Sequence, residues 1–166
     1  IKNPMPQAVL DLDKMPFHDR LLYDKYFYFR NSKYLRFSCG RGCPYRCAFC
    51  TSSSREFSQL LSPKRAASYW REVQEEYNPA GFFLMNSTLN IYKGYVDELC
   101  DEIIKNKVKI LWCDCARPDN LDKELLLKMR RAGCVRLIYG METASPRLLK
   151  YINKGISLKK LEDILK

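Results

Sequence analysis

Three cysteines within eight residues are the feature that most constrains this chain. Cys43, Cys47 and Cys50 form the pattern Cys-x3-Cys-x2-Cys in a glycine-rich segment. Short spacings of this kind allow one loop to ligate several irons of an iron–sulfur cluster. Three thiolates leave one iron without a protein donor, and an open metal position is where a substrate or cosubstrate binds. The spacing therefore favours a [4Fe-4S] cluster with one open iron.

Zinc is the main alternative occupant of this loop. Cys39 would then be the fourth ligand, since structural zinc sites take four donors. Zinc prefers two separated Cys-x2-Cys pairs, which a single loop at the end of a strand does not supply. Three cysteines without any ligand are the other alternative, although an exposed glycine-rich loop makes this interpretation unattractive. Spacing favours the cluster and leaves both alternatives open.

The remaining cysteines suggest a reduced, cytoplasmic protein. Cys100, Cys113, Cys115 and Cys134 lie in apolar, periodic segments, where they are interpreted as small buried hydrophobes. Disulfide scaffolds belong to short, loop-rich secreted chains, which this chain does not resemble. A run of 18 apolar residues and a secretory signal are both absent, so the sequence predicts no membrane span. The missing initiating Met predicts an excised piece of a longer protein.

The net charge of +10 is concentrated in one part of the sequence. Ten lysines and arginines lie between Lys25 and Arg71, against Glu56 alone. Such a patch can attract nucleic-acid phosphates, offset the charge of a cluster and its ligand, face solvent, or meet a missing acidic domain. Nucleic acid is therefore a possible partner that charge alone does not favour.

Strands and helices alternate four times after an irregular lead-in. Residues 1–33 are predicted to be a linker, and residues 34–166 the core domain. Apolar strands near residues 34–38, 82–85, 108–113 and 134–139 alternate with helices near 62–77, 96–104, 122–132 and 145–155. This pattern predicts an α/β fold with a parallel sheet covered on its faces by helices, either doubly wound or part of a barrel. Chemistry would then lie in loops 39–54, 86–92, 114–120 and 140–144, at the carboxyl ends of the strands.

The cysteine pattern, with Phe49 before its last member, resembles the signature of the radical S-adenosylmethionine (SAM) superfamily. Residues 37–47 and 16–20 are similar to the cobalamin-binding subgroup, as are residues 132–134 and 140–145 and the pattern Leu149-x4-Lys154. The resemblance implies a partial (β/α)6 TIM-like barrel, of which this chain supplies the first four βα units. Cobalamin would be bound by a domain outside the chain.

The resemblance also implies a reaction. SAM would bind the open iron, and an electron from a flavodoxin- or ferredoxin-like donor would cleave it reductively to methionine and a 5′-deoxyadenosyl radical. That radical would abstract hydrogen from a small-molecule substrate, or cleavage would be coupled to cobalamin-dependent methyl transfer or oxidative cyclisation. The substrate is not predicted. An enzyme of this superfamily acting on tRNA or protein is a related alternative, and a non-catalytic, zinc-stabilised nucleic-acid-binding module is the alternative from another class.

The same resemblance implies SAM contacts. Phe49 would lie against the adenine, with packing in the core as its alternative. Asn86 and Ser87 stand where the family has a GGE-like motif for the SAM amino group, and they can still accept from an ammonium. Arg117 can fork onto a carboxylate, or pair with Asp119 at the surface.

Two further polar residues have ambiguous predictions. Glu142 follows an apolar strand, where a carboxylate needs a partner; SAM or the helix N-terminus at Ser145 would provide one. His18 is the only histidine, and the Asp-x-His-x-x-Gly pattern of a cobalamin ligand is absent around it. We therefore interpret His18 as a loop residue.

Overall fold

A four-stranded parallel sheet organises the chain. The computed structural model describes residues 11–17, 33–51 and 58–166. Its strands are β1 (Tyr34–Phe37), β2 (Gly40–Arg41), β3 (Gln59–Leu60), β4 (Gly81–Leu84), β5 (Leu111–Ala116) and β6 (Cys134–Tyr139). The main sheet has the order β1-β4-β5-β6 with every neighbouring pair parallel, and β2 pairs antiparallel with β3.

Helices connect the strands of the main sheet. They are α1 (Pro63–Tyr77), α2 (Lys93–Lys105), α3 (Lys123–Arg131), α4 (Pro146–Tyr151) and α5 (Leu158–Leu165), with short 3-10 turns at Leu12–Lys14 and Pro118–Asn120. The predicted α/β fold with four strand–helix units is therefore confirmed. Within the described ranges, no helix has both the length and the apolar character that crossing a membrane requires.

Side chains fix where the helices begin and end. Ser62 accepts a hydrogen bond from the amide of Arg65 at 3.1 Å, and Pro63 follows it at the first helical position, where its missing N–H costs nothing. Ser145 and Ser157 cap α4 and α5 in the same way. These predicted caps are confirmed.

One glycine turn behaves as the sequence predicts. Gly133, just after α3, adopts a φ of +93°, and a Cβ there would stand 2.7 Å from the carbonyl oxygen of Ile110. Only glycine tolerates both conditions, so Gly133 ends the helix and leads directly into β6.

The hydrophobic core lies on one face of the sheet, under α1, α2 and α3. Phe82 and Trp112 extend from this face towards the helices, and Trp70 of α1 packs between them at ring-centroid distances of 5.1 and 5.9 Å. All three side chains are almost completely buried. The indole of Trp112 also donates to the carbonyl of Ala132 at 2.8 Å, so its polar atom is satisfied.

Among the described residues, helices cover one face of the sheet, which favours part of a barrel over the doubly wound alternative. β5 alternates between buried and more exposed positions, and in β4 Phe82 is 1% exposed whereas Phe83 is 39% exposed. The sequence did not reveal this alternation, because the adjacent residues Phe82 and Phe83, which face opposite sides of the sheet, are both phenylalanine. One face is therefore covered, and the other is open.

Three boundaries also differ from their predictions. β5 begins at Leu111 rather than residue 108, since the parallel ladder starts where Leu111 pairs with Gly81. It continues to Ala116, so Asp114 belongs to a strand rather than a loop. α4 ends at Tyr151, well before residue 155, because Asn153 takes a left-handed φ of 51°.

Candidate active site

The cysteine loop lies at the carboxyl edge of the sheet, as predicted. There β1 runs into Ser38 and Cys39, and β5 runs into Arg117. The guanidinium of Arg117 stacks on the ring of Tyr45, within the cysteine loop, at 3.7 Å. Parallel sheets bring the ends of sequence-distant strands together at this edge, which is how the fold assembles a site from separate segments.

The three loop thiols interact electrostatically. Cys43 is buried, Cys47 and Cys50 are half-buried, and the Cys50 amide donates to the Cys47 carbonyl at 3.1 Å. Burial raises the pKa of Cys43, the charges of Cys50 and Cys47 raise it further, and Arg117 lowers it. Cys43 therefore lies close to both other loop thiols, and Arg117 favours its thiolate form, the form that binds iron.

Cys39 belongs to a different environment. Its side chain is fully buried beside Asn86, Tyr95 and Asp114, and burial raises the pKa of its thiol far above the ordinary value. A neutral, buried thiol packs as a small hydrophobe. The structure therefore separates Cys39 from the trio that it would have to join in a four-thiolate zinc site.

The other cysteines also remain thiols. All eight lie within the described residues, and none is in a disulfide. Cys100 is buried as predicted, whereas Cys113, Cys115 and Cys134 are only half-buried. The prediction of buried hydrophobes therefore holds only in part for these three: Cys134 packs against the core, whereas Cys113 and Cys115 are less buried than predicted.

The connection after α4 holds the middle of the cysteine loop. The Ala48 amide donates to the carbonyl of Ile152 at 2.8 Å, and the Asn153 side-chain amide donates to the carbonyl of Arg46 at 2.8 Å. Asn153 reaches the loop because its left-handed backbone ends α4 and turns the chain towards it. We call these two hydrogen bonds the loop clamp. They join segments more than 100 residues apart in sequence.

Arg117 connects the loop clamp with β5. Its guanidinium donates to the carbonyls of Lys154 and Gly155 at 3.1 and 2.8 Å and to Asp119 at 3.0 Å. Pairing with Asp119 is as predicted, but the side chain is buried rather than at the surface. Its Nε is also buried and has no acceptor among the described residues. A buried N–H without a partner is costly, which marks this atom as available to a ligand.

An ion pair stands beside Phe49. Glu142 Oε1 accepts from Lys154 Nζ at 3.1 Å, and that ammonium lies 5.3 Å from the centre of the Phe49 ring. A Cβ at Gly140 would stand 2.7 Å from the Glu142 carboxylate and 2.8 Å from the ammonium, so a larger residue there would displace the ends of these two side chains. Phe49 itself is 51% exposed, which is not the packed position that its alternative interpretation predicted.

Asn86 turns away from the open side of the sheet. Its amide donates to Asp114 at 2.6 Å, and its oxygen accepts from the Cys39 amide at 2.8 Å. The Asn86 side chain therefore links the start of the cysteine loop, at Cys39, to Asp114 of β5. Ser87, the next residue, is exposed. The structure places these two neighbours on opposite sides of the strand end.

Asp114 is a site residue that the sequence analysis missed. It is buried between Cys113 and Cys115, and burial raises the pKa of its carboxyl to about 7, although hydrogen bonds from Asn86 and the Cys115 amide lower it. The signal was available, because a carboxylate between strand residues needs a dedicated partner. Asn153 and Lys154 were also missed as site residues, and nothing local in their sequence predicts a contact with residues 46–49.

The donor set fits an iron–sulfur cluster. Three thiols stand on one loop with a basic side chain beside them, and three thiolates on a short loop can each bind a different iron. Over residues 11–17, 33–51 and 58–166, no three acidic, cysteine or histidine side chains converge closely enough to share a single metal ion. Fold and loop together define an α/β domain whose carboxyl edge presents three thiols on one short loop.

Comparisons with known proteins identify the family. The radical SAM superfamily model matches residues 37–166. This chain belongs to the radical SAM superfamily, as the cysteine spacing predicted.

Curated relatives of this chain include a methyltransferase and a cyclase. An uncharacterized methyltransferase of Pyrococcus horikoshii is 28% identical over all of this chain and 37% of its own length. The anaerobic magnesium-protoporphyrin IX monomethyl ester cyclase of Rubrivivax gelatinosus is 26% identical over 95% of this chain and 29% of its own. This chain thus spans about a third of the curated relatives it matches.

The structural likeness supports the fold. TsrM of Kitasatospora setae, a radical SAM methyltransferase solved with cobalamin and a [4Fe-4S] cluster, superposes with a TM-score of 0.72 at 16% identity, over 83% of this chain and 29% of that one.

Proposed function

We propose that this chain is the cluster-binding part of an enzyme in which Cys43, Cys47 and Cys50 ligate a [4Fe-4S] cluster that binds and reductively cleaves SAM. The observation that carries the proposal is the trio of thiols on one loop, with Arg117 stacked on Tyr45 of the same loop, at the carboxyl edge of a radical SAM domain. When bound, the cluster and SAM supply radical chemistry, or methyl transfer where cobalamin takes part. The names of the relatives favour methyl transfer or cyclisation.

The residues of this chain position and shield the site. The loop clamp fixes the backbone between Cys43 and Cys50 on both sides of Cys47. Arg117 supplies positive charge next to Cys43, and its Nε–H, which has no acceptor among the described residues, is suited to donate a hydrogen bond to a carboxylate oxygen of SAM.

Glu142 and Phe49 are suited to other parts of SAM. The Glu142 carboxylate, already paired with an ammonium, can exchange Lys154 for the amino group or a ribose hydroxyl of SAM. The exposed ring of Phe49 offers a face for the adenine. Ser87 remains a proposed acceptor for the amino group, whereas the buried hydrogen bonds of Asn86 support a positioning role instead.

The proposal extends to partners outside the chain. We place the cobalamin-binding site in a separate domain, and the electron would come from a flavodoxin- or ferredoxin-like protein. The substrate would be a small molecule. Eight reduced cysteines are consistent with a cytoplasmic enzyme.

Anaerobic reconstitution with iron and sulfide tests the proposal. We expect about four irons per chain and an electron paramagnetic resonance signal that changes when SAM is added. Cys43→Ala, Cys47→Ala and Cys50→Ala should each abolish both. Cys39→Ala, which removes a thiol just before the loop, should retain both. Iron loading that survives loss of any one of the trio would refute the ligand assignment.

A further inference from the structure

The open face of the sheet is a continuous surface made from all four parallel strands. Pairing aligns Arg36 with Phe83, Phe83 with Cys113, and Cys113 with Arg136, so these four residues form one row across the sheet. Directly opposed residues of parallel strands point to the same face. Neighbours of this row on the four strands belong to the core or pack against it, namely Leu35, Phe37, Phe82, Leu84, Trp112 and Leu137. The row therefore belongs to the open face.

Large apolar side chains are exposed on this face. Phe83 is 39% exposed, Met85 is 51% exposed and Ile138 is 40% exposed. Apolar side chains grouped on one surface mark a place where another apolar molecule binds. Met85 and Ile138 lie nearer the carboxyl edge than Phe83 does, so the apolar surface leads towards the cysteine loop.

Two unpaired positive charges flank the apolar surface. Arg36 and Arg136 are both exposed, and within the described ranges neither takes part in an ion pair. Burial raises the pKa of Cys113 and Arg136 partly offsets this, so the charge of Arg136 lies close to the neighbouring strand on this face. Along the described parts of β1, β4, β5 and β6, Asp114 is the sole acidic residue, and it points to the covered face.

The row fixes where an anion would lie relative to the cluster. Three strand spacings of about 4.8 Å separate the arginine backbones, which gives about 14 Å. Arg36 lies two residues before Ser38, or about 7 Å from the carboxyl end of β1. A ligand held there would have its acidic end away from the cysteine loop and its apolar part towards it.

We propose that the open face binds the substrate, an apolar molecule with two carboxylates that pair with Arg36 and Arg136, and so presents its apolar portion to the cluster. This inference rests on the proposed function and adds the chemical class of the substrate. Arginine is the side chain suited to forked pairing with a carboxylate, and the apolar floor excludes small hydrophilic anions from comparable affinity.

A binding titration tests this inference on the cluster-loaded enzyme that contains this chain. Protoporphyrin IX, an apolar diacid, is the probe, and its dimethyl ester is the uncharged counterpart; binding is followed by absorbance and tryptophan quenching. We expect the acid to bind at least tenfold more tightly than the ester. Arg36→Gln and Arg136→Gln should each lower the affinity for the acid roughly tenfold and leave the affinity for the ester unchanged. Arg36→Lys should cause an intermediate loss of affinity for the acid.

Arg71→Gln is the matched control, because Arg71 is an exposed arginine on α1 that pairs with Glu75. It should bind both probes like the wild type. Equal affinity for acid and ester, absence of binding, or glutamine variants that bind the acid normally would each overturn the inference. Iron content and the SAM-dependent resonance change are recorded on the same samples; their loss in the wild type would count against the proposed function, whereas their retention with failed probe binding would count against this inference alone.

Discussion

The two faces of the sheet differ in role: one packs into the hydrophobic core, and the other is proposed to bind a ligand. On the covered face, Phe82 and Trp112 pack against Trp70 with almost no exposure, and the indole N–H of Trp112 donates to the carbonyl of Ala132. On the open face, Phe83 remains 39% exposed beside Arg36, which forms no ion pair with the residues that the structure describes. Period-two alternation thus gives adjacent residues of one strand different tasks. Exposed apolar residues in this sheet therefore do not contribute to the core and are available to contact a ligand.

Paired substitutions in β4 should produce the largest effect. Phe82→Ala removes a ring buried among aromatic neighbours, and we expect it to lower the free energy of unfolding by about 3–5 kcal/mol. Phe83→Ala, one residue further, should cost less than about 1 kcal/mol, since its ring is already partly hydrated. Urea unfolding of the two variants under reducing conditions measures both values, and similar losses would contradict the division between the faces.

Asp114 should make stability depend on pH. Burial raises the pKa of its carboxyl to about 7, so the folded protein holds a proton that the unfolded chain loses near its ordinary value of 3.8. A raised pKa means that stability is full at low pH and falls as pH rises towards 7. Across pH 5 to 8 the loss should be about 2–3 kcal/mol.

Asp114→Asn removes this titration and should flatten the pH profile. Nearby Cys39 and Tyr95 do not confuse the measurement, because burial raises the pKa of each well above this range. Unfolding of the cluster-free protein at several pH values gives the slope. An equally steep profile in the variant would assign the dependence to another group.

The sequence predicted the order of elements well because local chemistry determines it. Ser62-Pro63, Ser145 and Gly133 mark helix ends by their own caps and backbone preferences, and each one does so in the structure. Which strand residues face the helices was harder to predict. Phe82 and Phe83 are identical in sequence, and only the position of α1 decides that one is buried.

The site was predictable to the extent that its residues are close in sequence. Cys43, Cys47 and Cys50 form a local motif, so their spacing alone indicated a cluster. The loop clamp is not local: Asn153 donates to the carbonyl of Arg46 from more than 100 residues away. No spacing rule predicts such a contact, since it depends on how α4 is placed against the carboxyl edge.

Asn153 allows the loop clamp to be tested with little disturbance of the backbone. Glycine also favours the left-handed conformation at this position, so Asn153→Gly removes the amide while the turn is kept. We expect a stability loss of at most about 1 kcal/mol, together with faster loss of iron on exposure to a chelator. Asn153→Asp tolerates the same turn but cannot donate, so it should release iron at least as fast. Wild-type iron retention in both variants would show that this hydrogen bond does not hold the loop.

Substitution of Glu142 should affect stability little and SAM binding strongly. Its backbone has a left-handed φ of 62°, which costs a non-glycine residue of the order of 1 kcal/mol, and its ion pair with Lys154 is partly hydrated. Folding alone therefore gives little reason for a glutamate here. Glu142→Gly should leave stability unchanged or raise it by up to about 1 kcal/mol. Glu142→Gln should change it by less than about 0.5 kcal/mol.

Both variants should weaken SAM binding to the cluster-loaded protein roughly tenfold in equilibrium dialysis, because a charged partner of the ligand is lost. Unchanged SAM affinity in both variants would remove Glu142 from the site, and its strained backbone would then need a different cause.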